Sequence, residues 1–289
     1  MNEQRARKLK PLLEAVPEGF LVDARWLTAR GIARASIHDY AARGWLVPVA
    51  RGVYRRPAAG EGAPPDRLDW RLVVLSLQNL LSADLHVGGA TALSLYGHEH
   101  YLSLGRAPDV YLFGEDAPGW LARIEVDADV VVRRRSLFGE SRLGIERRAL
   151  NLSTQTLSGA NKEKGKPGGP WTWPLLLSSV ERAILELLNE LPAHESFHKV
   201  DTIFEGLTEL RPKSLTALLA ACRSVKTKRL FFLFADRRRH GWLKHLDKST
   251  VNLGAGDRQL VEGGRLHPVY KITVPADFAG AGGEEHDGA

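Results

Sequence analysis

Three glycines, Gly31, Gly44 and Gly52, constrain what the first 57 residues can form. Glycine enters the left-handed backbone region without steric cost, so each marks a place where a helix stops or a strand turns. Between these stops the apolar spacing is helical. Arg5–Val16 puts Leu9, Leu12 and Leu13 on one side. Phe20-Leu21-Val22 is a short extended piece. Asp23 then caps a second helix, Ala24–Arg30, with Trp26 and Leu27 inward. A third helix spans Arg34–Arg43, with Ile37, Tyr40 and Ala41 inward. Leu46–Val49 and Val53–Arg56 read as a hairpin across Ala50-Arg51-Gly52. Helix, helix, turn, helix and hairpin in this order predict a winged helix-turn-helix over residues 1–57.

The charge sits in the same place. The chain carries a formal net charge of +6, and residues 1–57, with 11 Lys/Arg against 5 Asp/Glu, hold all of it. The remainder has 29 residues of each sign. Local basic charge on such a module is the electrostatic footprint of a nucleic-acid binder. The third helix would enter the major groove of double-stranded DNA, its N-terminal residues nearest the base edges. The residues of this helix not claimed by the core are Arg34, Ser36, His38, Asp39 and Arg43. Arg34 suits a bidentate contact to guanine, and Ser36 a phosphate or base. Arg51, Arg55 and Arg56 ride on the wing, suited to phosphates or the minor groove. Tyr54 reads either as a wing contact or as packing under the hairpin. The predicted DNA-binding set is therefore Arg34, Ser36, His38, Arg43, Arg51, Tyr54, Arg55 and Arg56.

Beyond a Gly/Pro/Ala linker at Pro57–Pro65, the chain reads as α+β. Residues 66–170 form a central domain with a small sheet, its strands at Asp109–Phe113, Arg123–Val126 and Val130–Arg133 and its helices at Leu68–Leu80 and Ala90–Tyr96. A polar Gly/Pro-rich loop covers residues 158–170. Residues 171–275 are mainly helical, over Leu175–Leu188, Phe197–Leu207, Lys213–Ser224 and Val225–Arg238, and end on a strand-like Val269–Val274. The Gly-rich, acidic tail 276–289 reads as disordered. No run of about 18 apolar residues predicts a membrane span. The charged N-terminus is not a secretory signal, and the single Cys222 cannot form an internal disulfide; a cytoplasmic chain is expected.

Arg211–Lys248 holds 11 Lys/Arg against Asp236 and Asp247 alone. Arg223, Lys226, Lys228, Arg229, Arg237, Arg238, Arg239 and Lys244 predict a second basic surface. It is balanced either by the acidic helix Glu181–Glu190 or by a nucleic acid or acidic partner. The interleaved Phe231, Phe232, Phe234 and Trp242 read as core.

Catalytic patterns are incomplete. Gly88-Gly89 before a helix, with Asp109 on a later strand, is a degenerate nucleotidyltransferase arrangement. Ala90 stands where that turn needs serine, and Asp109 has no second acid two residues on to hold Mg²⁺. His86, His98 and His100 lack the spacing and the fourth partner of a zinc site. Glu181 and Arg182 could be a catalytic acid and clamp, but read better as an ion pair packing two halves together. No catalytic residue, metal or cofactor is predicted, and the chain is not expected to be an enzyme.

Several motifs occur in a telling order. Phe20-Leu21-Val22, Gly31-Ile32 and Gly44-Trp45-Leu46-Val47-Pro48-Val49-Ala50-Arg51-Gly52-Val53-Tyr54 together resemble the N-terminal domain of AbiEi-type antitoxins. Gly88-Gly89-Ala90-Thr91-Ala92-Leu93-Ser94-Leu95-Tyr96-Gly97-His98 resembles the second-domain motif of that family. Ser179-Val180-Glu181-Arg182-Ala183-Ile184-Leu185-Glu186-Leu187-Leu188 is similar to its Ser-x-Glu-Arg helix. The resemblance spans residues 10–275. It implies a type IV toxin–antitoxin, abortive-infection (phage-defence) protein that represses its own operon from an inverted repeat. It also implies a C-terminal part that counters a nucleotidyltransferase-like toxin without a stable complex. The chain would be a monomer or weak dimer, paired on DNA. Two alternatives stand beside it: a plain winged-helix regulator with a ligand-sensing domain, and a nucleotidyltransferase or toxin-modifying enzyme in residues 66–275.

Overall fold

The computed structural model describes residues 3–98, 107–154, 156–158 and 171–279. In chain order the N-terminal elements are α1 (Glu3–Ala15), β1 (Leu21–Asp23), α2 (Ala24–Ala29), α3 (Arg34–Ala42), β2 (Val47–Ala50) and β3 (Val53–Arg55). There follow α4 (Trp70–Asn79), β4 (Leu85–Val87), α5 (Gly89–Leu95), β5 (Asp109–Gly114), β6 (Asp129–Arg133), β7 (Ile145–Asn151), β8 (Thr156–Ser158) and β9 (Thr172–Ser178). The remainder is α6 (Val180–Glu190), α7 (Phe197–Gly206), α8 (Pro212–Ala221), α9 (Val225–Arg238), β10 (Arg265–Leu266) and β11 (Thr273–Val274). These elements form two compact units that interleave along the chain. Within the described residues, the first takes 3–87, 107–134, 146–154, 156–158 and 171–177, and the second takes 88–98, 135–145 and 178–279.

The first unit contains two sheets. In the smaller, β3 lies between β1 and β2, antiparallel to both. The larger is a mixed sheet in the order β6-β5-β4-β9-β7-β8, with β4 antiparallel to β5 and parallel to β9, and β5 parallel to β6. Helix α4 ties the two together. Its Ser76 hydroxyl accepts from the Leu21 amide at 2.8 Å, and its C-terminal Leu80 carbonyl accepts from the Trp26 indole at 2.8 Å. Toward the large sheet, Gln78 donates to Leu85 O and Leu176 O and accepts from Leu176 N at 2.8 Å. The Phe20 and Trp173 rings meet at 4.6 Å. The linker is also anchored, since Glu61 accepts from Ala58 N and Glu18 from Ala59 N.

The second unit is built around α6, which is buried on nearly all sides. Arg182 and Glu186 on this helix are each 1% exposed and pair at 2.7 Å. The Glu186 carboxylate also accepts from the Ser178 hydroxyl at 2.7 Å and from the Gly89 amide at 3.1 Å. Arg182 donates on to the carbonyls of Ser141 and Leu143 and lies over the Phe138 ring. Both buried charges thus meet an opposite charge, and the guanidinium meets carbonyls as well, as desolvation requires. Around α9 an aromatic cluster of Phe197, Phe204, Phe231, Phe234 and Phe278 completes the core.

The structure departs from the sequence reading in three places. Residues 172–178 form strand β9 inside the large sheet, and the helix expected from Leu175 starts at Val180. A continuous apolar run is ambiguous between a buried strand and a buried helix, and here β4 supplies the pairing that decides it. The expected strand at Arg123–Val126 is a 3-10 turn at Leu121–Arg123 followed by an isolated bridge from Leu68 to Val126. The expected small sheet therefore has six strands with different members. The tail does not begin at Ala276, because Ala276–Phe278 is a 3-10 turn that buries Phe278 against Phe197 and Phe234. Residues 159–170, His100 and the tail beyond Ala279 lie outside the described residues.

Removing the Glu186 carboxylate leaves a buried guanidinium without its counter-charge. Glu186→Ala is expected to lower unfolding free energy by about 3–5 kcal/mol, read as a lower urea midpoint. An unchanged midpoint would show that this pair does not hold the second unit together.

Candidate nucleic-acid interface

The N-terminal module is positioned by local signals that agree with one another. The Asp23 carboxylate accepts from Trp26 N at 2.7 Å and opens α2. Gly31, at φ +74°, turns the chain between α2 and α3. On α3, Ile37 and Tyr40 face the core, while Arg34 and His38 are exposed. Arg43 follows the helix and pairs with Asp39 at 3.1 Å in an exposed bridge. Such a bridge is worth a few tenths of a kcal/mol. Gly52, at φ +76°, closes the hairpin beside exposed Arg51.

Three of the eight residues expected at this surface are used inside the module. Ser36 is 9% exposed, on the same side of α3 as Ile37 and Tyr40. Arg55 is 5% exposed and forms a two-pronged pair with Glu61. It faces inward because β3 is the central strand: Val53 and Arg55 share the buried side, and Tyr54 takes the other, half-buried. Arg56 donates to the backbone carbonyls of Leu13 and Val16 at the end of α1 and pairs with Glu18 at 3.5 Å. Arg34, His38, Arg43 and Arg51 stay on the outside. Further exposed cations are Lys10 on α1 and Arg25 and Arg30 on α2 and at its C-terminal end, and the spacing of the third helix and hairpin gives no signal for them. Arg30 stacks over Trp26 at 3.6 Å.

A cleft of about 460 Å³ adjoins the hairpin, lined by Arg43, Trp45, Arg56 and the linker residues Pro57–Ala59, Glu61, Gly62 and Pro64, among others. Trp45 is 44% exposed there. Arg56 and Glu61 in its wall are engaged with the module itself.

The second expected basic surface is divided: four of its eight residues are exposed and four are buried or half-buried. Lys226 donates to the carbonyls of Asn189 and Leu191 at 2.6 and 2.7 Å, and burial pushes its pKa down against the pull of Glu190. Lys228 is buried. Arg229 is buried and donates to the carbonyls of Leu253, Gly256 and Lys271. Arg237 and Arg238 converge on Asp201, and Arg238 also reaches Glu205. Arg223, Arg237, Arg239 and Lys244 are exposed. Acids of the chain itself thus meet Arg237 and Arg238, while Lys226 and Arg229 meet backbone carbonyls.

The incomplete catalytic patterns also find structural uses. Glu181 and Arg182 do not pair with each other. Burial pushes the Glu181 carboxyl up, but Arg211 outweighs it, through its side chain and its amide, and holds the pKa below the usual value. The Gly89 amide, at the head of α5, is met by Glu186. His86 is buried and stacks on Phe113 at 5.6 Å. Among the described residues, no three His, Cys, Asp or Glu side chains come together to hold a metal ion, and no helix is long and apolar enough to cross a membrane.

Two family models match the chain. One, described as transcriptional regulator, AbiEi antitoxin, type IV TA system, covers residues 107–275. The other, the AbiEi antitoxin N-terminal domain, covers residues 5–104. No curated protein matches. Among solved structures, the Rv2827c protein of Mycobacterium tuberculosis is similar in fold, with a TM-score of 0.52 and 17% identity over 92% of this chain and 89% of that one.

The two kinds of arginine predict separate effects. Arg55→Ala is expected to cost about 1.5–3 kcal/mol in unfolding free energy, because it removes a buried charged hydrogen bond. Arg51→Ala is expected to stay within about 0.5 kcal/mol of wild type. Equal effects in urea titrations would contradict the burial of Arg55. The Arg55 hydrogen bond also lowers the Glu61 pKa against burial. A lowered folded pKa adds stability above the unfolded value of 4.5, and that stability is lost as pH falls through the folded one. The acid-side slope of the thermal midpoint is therefore expected to flatten in Glu61→Gln.

Proposed function

Because the chain belongs to the AbiEi antitoxin family, transcriptional regulators of type IV toxin–antitoxin systems, we propose that it is an antitoxin that also binds operator DNA and represses its own operon. The module α1–β3 acts as a winged helix-turn-helix, with α3 in the major groove and the Arg51 turn as the wing. Arg34 and His38 reach base edges, and Arg43 and Arg51 reach phosphates. Arg25 and Arg30 add phosphate contacts from α2. Two copies occupy an inverted repeat. One observation supports this reading: with Arg55 and Arg56 consumed inside the module, Arg34, His38 and Arg43 along α3 and Arg51 at the hairpin turn remain exposed, at the two parts such a module presents to DNA.

The remaining residues supply the antitoxin activity. They counter a nucleotidyltransferase-like toxin without a stable complex, and the protein acts in the cytoplasm without enzymatic activity of its own. The use of Glu186 to cap α5, and of Arg182 to hold Glu186, supports a structural role for the Ser-x-Glu-Arg helix.

The DNA reading is tested by gel shift on the upstream region of the operon at fixed salt. Arg34→Ala with Arg51→Ala is expected to abolish the shift. Removing a single phosphate-binding side chain should also reduce the slope of log affinity against log salt by about one unit. Arg223→Ala with Lys244→Ala is expected to leave both unchanged. Undiminished binding by the first pair would overturn this assignment.

A further inference from the structure

Strand β6, Asp129-Val130-Val131-Val132-Arg133, ends the large sheet on one side among the described residues. Its inner edge pairs with β5 in parallel register. The Asp129 amide donates to Pro108 O at 3.0 Å, on the β5 side. Backbone groups alternate in direction along a strand, so residues 129, 131 and 133 turn theirs to β5. Val130 and Val132 turn theirs to the open edge. Exposed edges are normally blunted by proline, lysine, a bulge or an inward charge. This one carries three consecutive β-branched residues, with charge only at its two ends, Asp129 and Arg133, and Val132 is 37% exposed.

The charges on the strand specify what suits this edge. An antiparallel pairing with a second β6, centred on a two-fold axis at Val131, sets Asp129 opposite Arg133 of the other copy, twice. It also sets Val130 opposite Val132, and these are the residues whose amides and carbonyls face outward. They then exchange both hydrogen bonds, as the narrow pairs of an antiparallel ladder do, and Val131 meets its own counterpart in a non-hydrogen-bonded pair. A parallel arrangement would instead put Asp129 against Asp129 and Arg133 against Arg133. Asp129 and Arg133 also interact within their own chain, so the rim charges fix direction and register more than affinity.

We propose that β6 is a homotypic docking edge, through which a second copy of this chain joins antiparallel about Val131 to extend the six-stranded sheet into one of twelve. This goes beyond the DNA reading, and it is tested with DNA absent, so its failure leaves operator binding untouched. In sedimentation equilibrium over a concentration series, the wild-type average mass is expected to climb from 31.9 kDa toward twice that value. Asp129→Arg and Arg133→Asp, each alone, place like charges opposite each other and should lower the average mass at a given concentration, and the two combined should restore it. Independently of any charge change, Val131→Cys should give a covalent dimer on a non-reducing gel after copper–phenanthroline. The two introduced thiols face each other at the roughly 4.5 Å Cα separation of a non-hydrogen-bonded pair and pass two electrons to the oxidant. Val130→Cys, facing Val132, should give none, and Cys222 is buried. A wild type that stays at the monomer mass throughout, or equal cross-linking from positions 130 and 131, overturns the proposal. So does a strand from a different protein occupying this edge in place of a second copy.

Discussion

A guanidinium leaves water at a cost that exceeds what its apolar stem returns unless a carboxylate or carbonyls meet most of its N–H groups. This constraint sorts the arginines of the protein into two classes. Arg55, Arg182 and Arg229 are buried, and each is met by a carboxylate or by backbone carbonyls. Arg34 and Arg51 are not buried. The first class serves the fold, and the second stays in solvent. The basic charge of the N-terminal module is therefore not uniform in use. Its hairpin spends two arginines on its own anchorage, one against the linker and one against the end of α1, and offers a third at the turn.

The same rule explains the second unit. Glu186 accepts from Arg182, from the Ser178 hydroxyl and from the first amide of α5. A helix N-terminus preceded by glycines is a ready place for a phosphate. Here the chain's own carboxylate meets it, 97 residues along from Gly89. The Ser-x-Glu-Arg stretch that opens α6 acquires a structural meaning: Ser179 caps the helix, Glu181 is bound by Arg211, and Arg182 orients Glu186.

Much of the N-terminal module is legible in the sequence because its signals are local. The Asp23 cap acts on Trp26, three residues away, and Gly31, Gly44 and Gly52 adopt positive φ at the stops that their spacing marks. The candidate surface is legible only in part. Arg34, His38, Arg43 and Arg51 lie outside as the spacing implies. The inward turn of Arg55 depends on β3 being a central strand, and the use of Arg56 depends on carbonyls some 40 residues earlier in the chain. Periodicity on one element cannot report either. Strand β9 is hidden for the same reason, since its identity lies in its pairing with Val87.

By itself the sequence determined the local elements of the first 57 residues, the concentration of net charge there and the family to which its motifs are similar. Those properties follow from backbone preference, side-chain capping and composition, which act over a few residues. Tertiary structure alone decided which cations are exposed, which strands form the six-stranded sheet and which charges on α6 and α9 are neutralised. These depend on contacts between distant parts of the chain, where burial forces each polar group to find a partner that no short stretch of sequence names.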